Sequence, residues 1–241
     1  MENKLNIVLE KAFGYKSFRK GQEEIVKNIL DKKNTLGVMP TGGGKSICYQ
    51  IPAIIKKGTT IVISPLISLM KDQVNELNSS GISATTINSS MGNKEISDEL
   101  RKIRENKIKL LYVSPERLLL DSFIELANSI TVPFLIIDEA HCISQWGHDF
   151  RRSYLDINTF IEKLDKKPVI GAFTATATEK VMEDIKNTFD ISNESTFKEN
   201  VDRENLYISV ERDVKKEEYL INYLRENRDK AGIVYVGSRK E

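Results

Sequence analysis

The chain has 241 residues, which at roughly 150 per domain makes one large domain or one and a half. Thirty-six Lys and Arg face 35 Asp and Glu for a formal charge of +1, and the hydrophobic share of 40% is enough for a proper core. No apolar run reaches the roughly 18 residues that cross a bilayer, Met1-Glu2-Asn3-Lys4 opens no signal peptide, and two cysteines, Cys48 and Cys142, are too few for a disulfide framework or a structural zinc site. Membrane, collagen-like, coiled-coil and disordered classes are excluded, and a reducing, cytosolic setting is expected. The near-zero charge also removes the easy argument for a nucleic-acid partner. Residues 201–241 carry nine basic and nine acidic groups, so splitting the chain does not restore it.

In chain order, β-rich apolar runs fall at Thr35–Met39, Thr59–Ser64, Ala84–Ile87, Ile108–Val113, Phe134–Ile137 and Val169–Phe173. Amphipathic stretches lie between them, among them Leu66–Ser80, Lys94–Glu105 and Glu179–Phe189. This alternation, with strands apolar on both faces, predicts an α/β fold: a parallel sheet covered by helices on both sides. All six prolines are expected beside strand ends, where a missing N–H is tolerated. The pattern loosens near Asp190. A further strand is predicted at Leu206–Val210, a charged helix from Lys215 and another strand at Ala231–Val236. The expected division is a first domain over residues 1–200 and the beginning of a second over 201–241.

The first strand runs into Pro40-Thr41-Gly42-Gly43-Gly44-Lys45-Ser46, followed by a helix from near Ile47. Consecutive glycines let backbone N–H groups turn inward around a phosphate. The helix adds its free N–H groups and the positive end of its dipole. Lys45 is placed to reach β- and γ-phosphates, and the Ser46 hydroxyl to bind Mg²⁺. The strict phosphate-loop pattern is not met, because Met39 stands at its first glycine position. The strand–loop–helix setting compensates.

The run Phe134–Ile137 ends in Asp138-Glu139-Ala140-His141. Adjacent carboxylates at the end of a buried strand are costly unless a cation or hydrogen bonds hold them, and that edge of a parallel sheet is where ligands bind. Asp138 is expected to help hold Mg²⁺ through water, and Glu139 to orient and deprotonate an attacking water. Alone, the tetrapeptide also fits a solvated helix start. With a phosphate loop about 90 residues upstream, the pair reads as nucleoside triphosphate hydrolysis, with ATP and Mg²⁺ as cofactors.

From about Phe13 onward the sequence resembles superfamily 2 helicases, and within them the RecQ-family DNA helicases. Phe18-Arg19-Lys20-Gly21-Gln22 resembles the family's motif 0. The resemblance implies that Tyr15 and Arg19 sandwich an adenine while Gln22 reads its edge. Ser64–Gln73 resembles motif Ia and Val113–Leu118 motif Ib, implying contacts to the backbone phosphates of a single strand through Ser64, Lys71, Ser114 and Arg117. The same geometry suits plain helix capping. Phe173–Thr178 matches motif III, where Thr174 and Thr176 could tie the acidic motif to the DNA side. Cys142–Arg151 resembles the aromatic-rich loop of RecQ enzymes. Trp146 and Phe150 are read as base-stacking groups, with His141 or Arg151 repositioned when DNA binds; the alternative is a loop pinned by a buried tryptophan. His148 is a zinc ligand only in principle, since the cysteines are unsuitably placed.

Phe197–Leu206 resembles the lead-in to a second RecA-like domain, and Gly232–Lys240 its motif IV. The resemblance therefore implies a RecA-like phosphate-loop domain plus the start of a second, with motifs V and VI, an arginine finger and the C-terminal domains beyond residue 241. It implies a 3′→5′ DNA helicase motor acting on single-stranded and forked duplex DNA in repair and recombination. The setting implied is the bacterial cytosol or nucleoid. The chain alone is expected to bind ATP weakly and turn it over slowly. Two other readings are a nucleotide-dependent nucleic-acid-binding module without turnover and an RNA helicase, the latter opposed by the Trp146 loop.

Overall fold

The structure, a computed structural model, describes residues 2–88, 91–147, 149–199 and 206–237, without the side chains of Glu2, Asn3 and Asn93. The chain separates into two units, Met1–Val201 and Asp202–Glu241. The first opens with helices α1 (Glu2–Phe13) and α2 (Gln22–Leu30), then β1 (Thr35–Val38), α3 (Lys45–Ile55) and β2 (Thr60–Ile63). Next come α4 (Ile67–Ser79), β3 (Ala84–Ile87), α5 (Asn93–Arg104), β4 (Leu110–Val113) and α6 (Asp121–Ser129). β5 (Phe134–Ile137), α7 (Asp156–Glu162), β6 (Val169–Thr174), α8 (Glu179–Phe189) and β7 (Thr196–Lys198) complete it.

All the strand pairings are parallel, in the order β3-β4-β2-β5-β6-β1-β7. Parallel neighbours need crossovers, and the helices supply them. Successive strand residues point to opposite faces, and here both faces are apolar. Val62, Leu110, Tyr112, Phe134 and Ile136 share a core with Ile25 and Ile29 of α2, Tyr49 of α3 and Met70 of α4. Ile61, Ile63, Leu111, Leu135 and Ile137 share the other with Ile103, Phe123, Phe160 and Ile185 of α5 to α8. This two-sided burial explains the unbroken apolar runs. α1 adds a small cluster, Leu5 and Leu9 against Val26 and Ile51.

The strands Ala84–Ile87 and Phe134–Ile137 and the helix Glu179–Phe189 have the predicted bounds, and the other predicted elements of the first unit shift by one or two residues. β7 was not foreseen; its three residues are too short for a periodic signal. The expectation for the prolines fails at Pro52, which lies inside α3 and leaves one i→i−4 bond of that helix without its donor. In the second unit the predicted helix appears as α9 (Lys216–Glu226). The strands predicted at Leu206–Val210 and Ala231–Val236 are not strands: both stretches are exposed, with no ladder assigned. Apolar runs become strands only where neighbours satisfy their edges, and two short runs with one helix are marginal by themselves.

Phe160 is fully buried on α7, its ring 5.6 Å from that of Phe123. Phe160→Ala should cost about 3–5 kcal/mol of stability. Urea unfolding followed by far-UV circular dichroism checks it, with a lower midpoint at unchanged slope as the expected result.

Candidate active site

The carboxyl ends of β1, β6, β5 and β2 lie side by side, and the functional segments follow those strands directly. The phosphate loop follows β1. Gly44, at φ 83°, sits immediately before α3 and offers no capping side chain, so the first N–H groups of α3 remain for a phosphate. A Cβ there would collide with Gln22 Nε2. Gln22 braces the loop: Nε2 donates to the carbonyls of Gly43 and Gly44 at 3.3 and 3.2 Å, while Oε1 accepts from Arg19 N at 2.8 Å. Arg19 Nη1 donates to Gly42 O at 2.5 Å. Lys45 Nζ donates to Met39 O at 3.2 Å, which keeps the ammonium over the loop.

A cleft of about 380 Å³ joins these parts, lined by Tyr15, Arg19, Gln22, Thr41, Gly42, Gly44, Lys45, Ser46, Asp138 and Glu139. Tyr15, in this lining, is half exposed. Gln22 lines the same cleft while both ends of its amide are engaged with the protein, a bracing role that the motif reading did not anticipate. Leu69 and Gln73 of α4 also line it, although the resemblance assigned their segment to DNA.

Asp138 is held against ionisation. Burial, and then the neighbouring Glu139, push its carboxyl up to about 6. The Glu139 N–H at 3.1 Å, Lys45 and the Ser64 hydroxyl at 3.5 Å work in the opposite direction. Tyr154 donates to the Asp138 carbonyl at 2.8 Å. Glu139 has φ 50° and ψ 46°, a left-handed conformation that turns the chain sharply after β5. Its Oε2 lies 3.3 Å from His141 Nδ1, and the same nitrogen is 2.8 Å from Thr174 Oγ1. Thr174 in turn donates to Thr176 O at 3.1 Å.

These contacts divide the hydroxyl residues that the sequence left open. Ser64 contacts Asp138 and caps no helix, and Ser114 makes no side-chain capping bond to the turn Pro115–Arg117. Thr178 does cap α8, accepting from Val181 N at 3.4 Å. Lys71 lies exposed on α4, outside the cleft, and Arg117 is half-buried just after β4.

The aromatic loop folds back on the turn Ala140–Ile143. Gly147 N donates to Ser144 O at 3.0 Å, and a Cβ on Gly147 would stand 2.5 Å from His141 O, so only glycine fits. Trp146 is 65% exposed and Phe150 37% exposed, which overturns the alternative of a buried, pinning tryptophan. Arg151 pairs with Asp149 at 3.1 Å and donates to Pro65 O at 3.1 Å, tying the loop to the segment after β2. A second cleft of about 420 Å³ is lined by His141, Trp146, Thr176 and Lys198.

His148 and residues 200–205 and 238–241 lie outside the described residues. His141, Cys142 and Asp149 bring donor atoms within 4.8 Å of one another, a grouping that the cysteine spacing did not suggest. Burial, and then Asp149, push the Cys142 thiol up to about 12, and Asp149 is engaged by Arg151. Cys142 Sγ donates to Asp149 Oδ2 at 3.9 Å, and His141 Nδ1 contacts Thr174 Oγ1.

A carboxyl raised in the fold contributes stability at low pH that is lost as pH rises from about 4 through 6. Asp138→Asn, which stays neutral, should therefore unfold at higher urea than the native chain at pH 7.5, by on the order of 2–3 kcal/mol. The gap should close near pH 4. An equal offset at both pH values would show that ionisation of Asp138 is not its cause.

The DEAD/DEAH box helicase family matches residues 19–185. The chain is 50% identical to the ATP-dependent DNA helicase RecQ of Bacillus subtilis over its whole length, covering 41% of that protein. It is 44% identical to the RecQ of Haemophilus influenzae, over 97% of this chain and 38% of that protein. The chain thus spans about two-fifths of the length of these curated relatives. Among solved structures, a hypothetical ATP-dependent RNA helicase from Sulfolobus tokodaii superposes with a TM-score of 0.63 at 21% identity, over 83% of this chain and 57% of that one. That likeness speaks for the fold. With a phosphate loop, an acidic strand end and a parallel sheet arranged in this way, the chain belongs to the DEAD/DEAH box helicase family, and within it is similar to the RecQ helicases.

Proposed function

We propose that this chain is the nucleotide-binding part of a RecQ-type motor that couples ATP hydrolysis to 3′→5′ movement on single-stranded DNA and to unwinding of forked duplexes in repair and recombination. One observation carries the reading: a continuous set of contacts from the nucleotide cleft to the aromatic loop. It runs from Glu139 to His141, from His141 to Thr174, and along Thr174–Thr176 to the cleft that Trp146 lines. His141 is only 5% exposed, so it serves as a relay, and Trp146 and Phe150 meet the strand. The names of the relatives support DNA as the substrate. Among the described residues no helix is long and apolar enough to cross a membrane.

The donor set fits a hard divalent cation, because a half-buried carboxylate and a hydroxyl line the same cleft. Ser46 and, through water, Asp138 would hold Mg²⁺, which offsets phosphate charge when bound. Tyr15 and Arg19 flank the base. Thr41 to Lys45 surround the phosphates with N–H groups and one ammonium. Glu139 orients the attacking water and takes its proton. An arginine supplied by a second domain would contribute about 10³–10⁵ in rate, so this chain alone turns over slowly and does not unwind DNA.

Glu139→Gln should keep nucleotide binding within about threefold and lower turnover by about 10² or more. Binding of a fluorescent ATP analogue, paired with phosphate release in the presence of oligo-dT or an RNA of equal length, is the measurement. Unchanged turnover would remove Glu139 from the chemistry. Stimulation by RNA alone would redirect the substrate assignment, and fast DNA-stimulated turnover by these 241 residues would contradict the need for a second-domain arginine.

A further inference from the structure

Trp146 is the only tryptophan in the chain. Its ring already has a partner, because Lys180 Nζ lies 3.2 Å from the ring centroid. One helical turn further along α8, Asp184 Oδ2 accepts from Ser144 Oγ at 2.5 Å. The same Ser144 oxygen accepts the Trp146 N–H at 3.2 Å. Residues four apart share one face of a helix, so Lys180 and Asp184 grip the loop at two points, the indole face and the backbone beneath it. Neither residue lines the nucleotide cleft. Both follow directly from the β6 end, where Thr174 meets His141. One continuous segment therefore holds the stretch from His141 to Trp146.

We propose that Lys180 and Asp184 are positioning residues that hold the aromatic loop closed, with the Lys180 ammonium covering the indole face on which a nucleobase would stack. The proposal rests on the reading of Trp146 as the group that meets single-stranded DNA. An ammonium over an exposed ring is held weakly, whereas base stacking on an aromatic side chain is the stronger contact. A single strand can thus displace Lys180, and displacement frees the loop that carries His141 and Arg151. Without DNA, the grip keeps the ring from stacking on other partners. Asp184 acts separately, keeping the Trp146 backbone in place whether or not the ring is covered.

The lone tryptophan makes the test direct, because the emission of the chain from indole reports this one ring. In the absence of DNA, Lys180→Ala should shift Trp146 emission and increase its quenching by acrylamide about twofold. Lys180→Arg, which also stacks on indole, should restore the native signal. Asp184→Ala should raise the quenching as well. Far-UV circular dichroism verifies that each variant remains folded. If Lys180→Ala and Asp184→Ala both leave emission and quenching at native values, the grip does not exist in solution and the proposal fails. Titration with oligo-dT supplies the second arm. Lys180→Ala should bind about two- to fivefold more tightly, the factor expected for releasing one exposed cation–π contact. Equal or weaker binding overturns the claim that Lys180 covers the DNA-binding face. If the variants alter the indole signal as expected but oligo-dT changes it in none of the proteins, the grip stands and the assignment of Trp146 to DNA is what fails.

Discussion

A carboxylate at the end of a buried strand is the constraint around which the first unit is arranged. Asp138 terminates β5, whose four residues are all buried, and it is followed at once by a second acid. Taking such a charge out of water is costly unless nearby groups answer it. The fold answers only in part. Ser64 comes from the end of β2, Lys45 from the start of α3, and the Glu139 N–H from a backbone forced into the left-handed region. Each of these comes from a different place in the sequence, and parallel strand order is what brings them together. The remaining penalty leaves Asp138 poorly compensated, and the proposed Mg²⁺ site rests on that imbalance.

The position of β6 extends this local electrostatic problem into a chain of contacts. β6 lies between β5 and β1, so its last residue, Thr174, stands between the acidic pair and the phosphate loop. The hydroxyl there donates to Thr176 O and meets His141. The imidazole also touches Glu139. The proton network of the cleft therefore ends on a segment that continues into Thr178, the cap of α8, and from there to the contacts beneath Trp146. A sheet with β6 elsewhere could contain the same motifs without linking them.

Much of this organisation can be read from the chain, and the places where reading stops have physical reasons. Runs such as Phe134–Ile137 are apolar at every position because both sheet faces are covered, so the runs alone identify a parallel sheet. The phosphate loop and the acidic pair announce themselves because their chemistry requires particular side chains at fixed spacing. What the chain hides are partnerships set by tertiary placement. Gln22 looks like a base reader and braces the glycines. Ser64 looks like either a phosphate ligand or a cap, and it answers Asp138. Tyr154 carries no motif, yet it secures the Asp138 carbonyl. Leu206–Val210 shows the opposite failure: a sound strand pattern that forms no strand, because pairing is a property of neighbours and not of the run itself.

The same logic resolves the apparent conflict between a neutral chain and a nucleic-acid partner. Basic groups near the loop are present but already engaged: Arg151 with Asp149 and Pro65 O, Lys198 with Glu179, and Lys180 with the Trp146 ring. The two ion pairs cancel at distances beyond about 10 Å under ordinary salt, so they lend little steering to a distant polyanion, whereas the Lys180 charge over the neutral indole persists. At contact they can exchange partners, since exposed ion pairs and exposed cation–π contacts are each held only weakly. A strand arriving at this face would meet cations whose present partners are no stronger than the phosphates and bases it brings. Near-zero net charge is therefore compatible with the proposed strand-binding face, where these three basic groups would exchange local partners at short range.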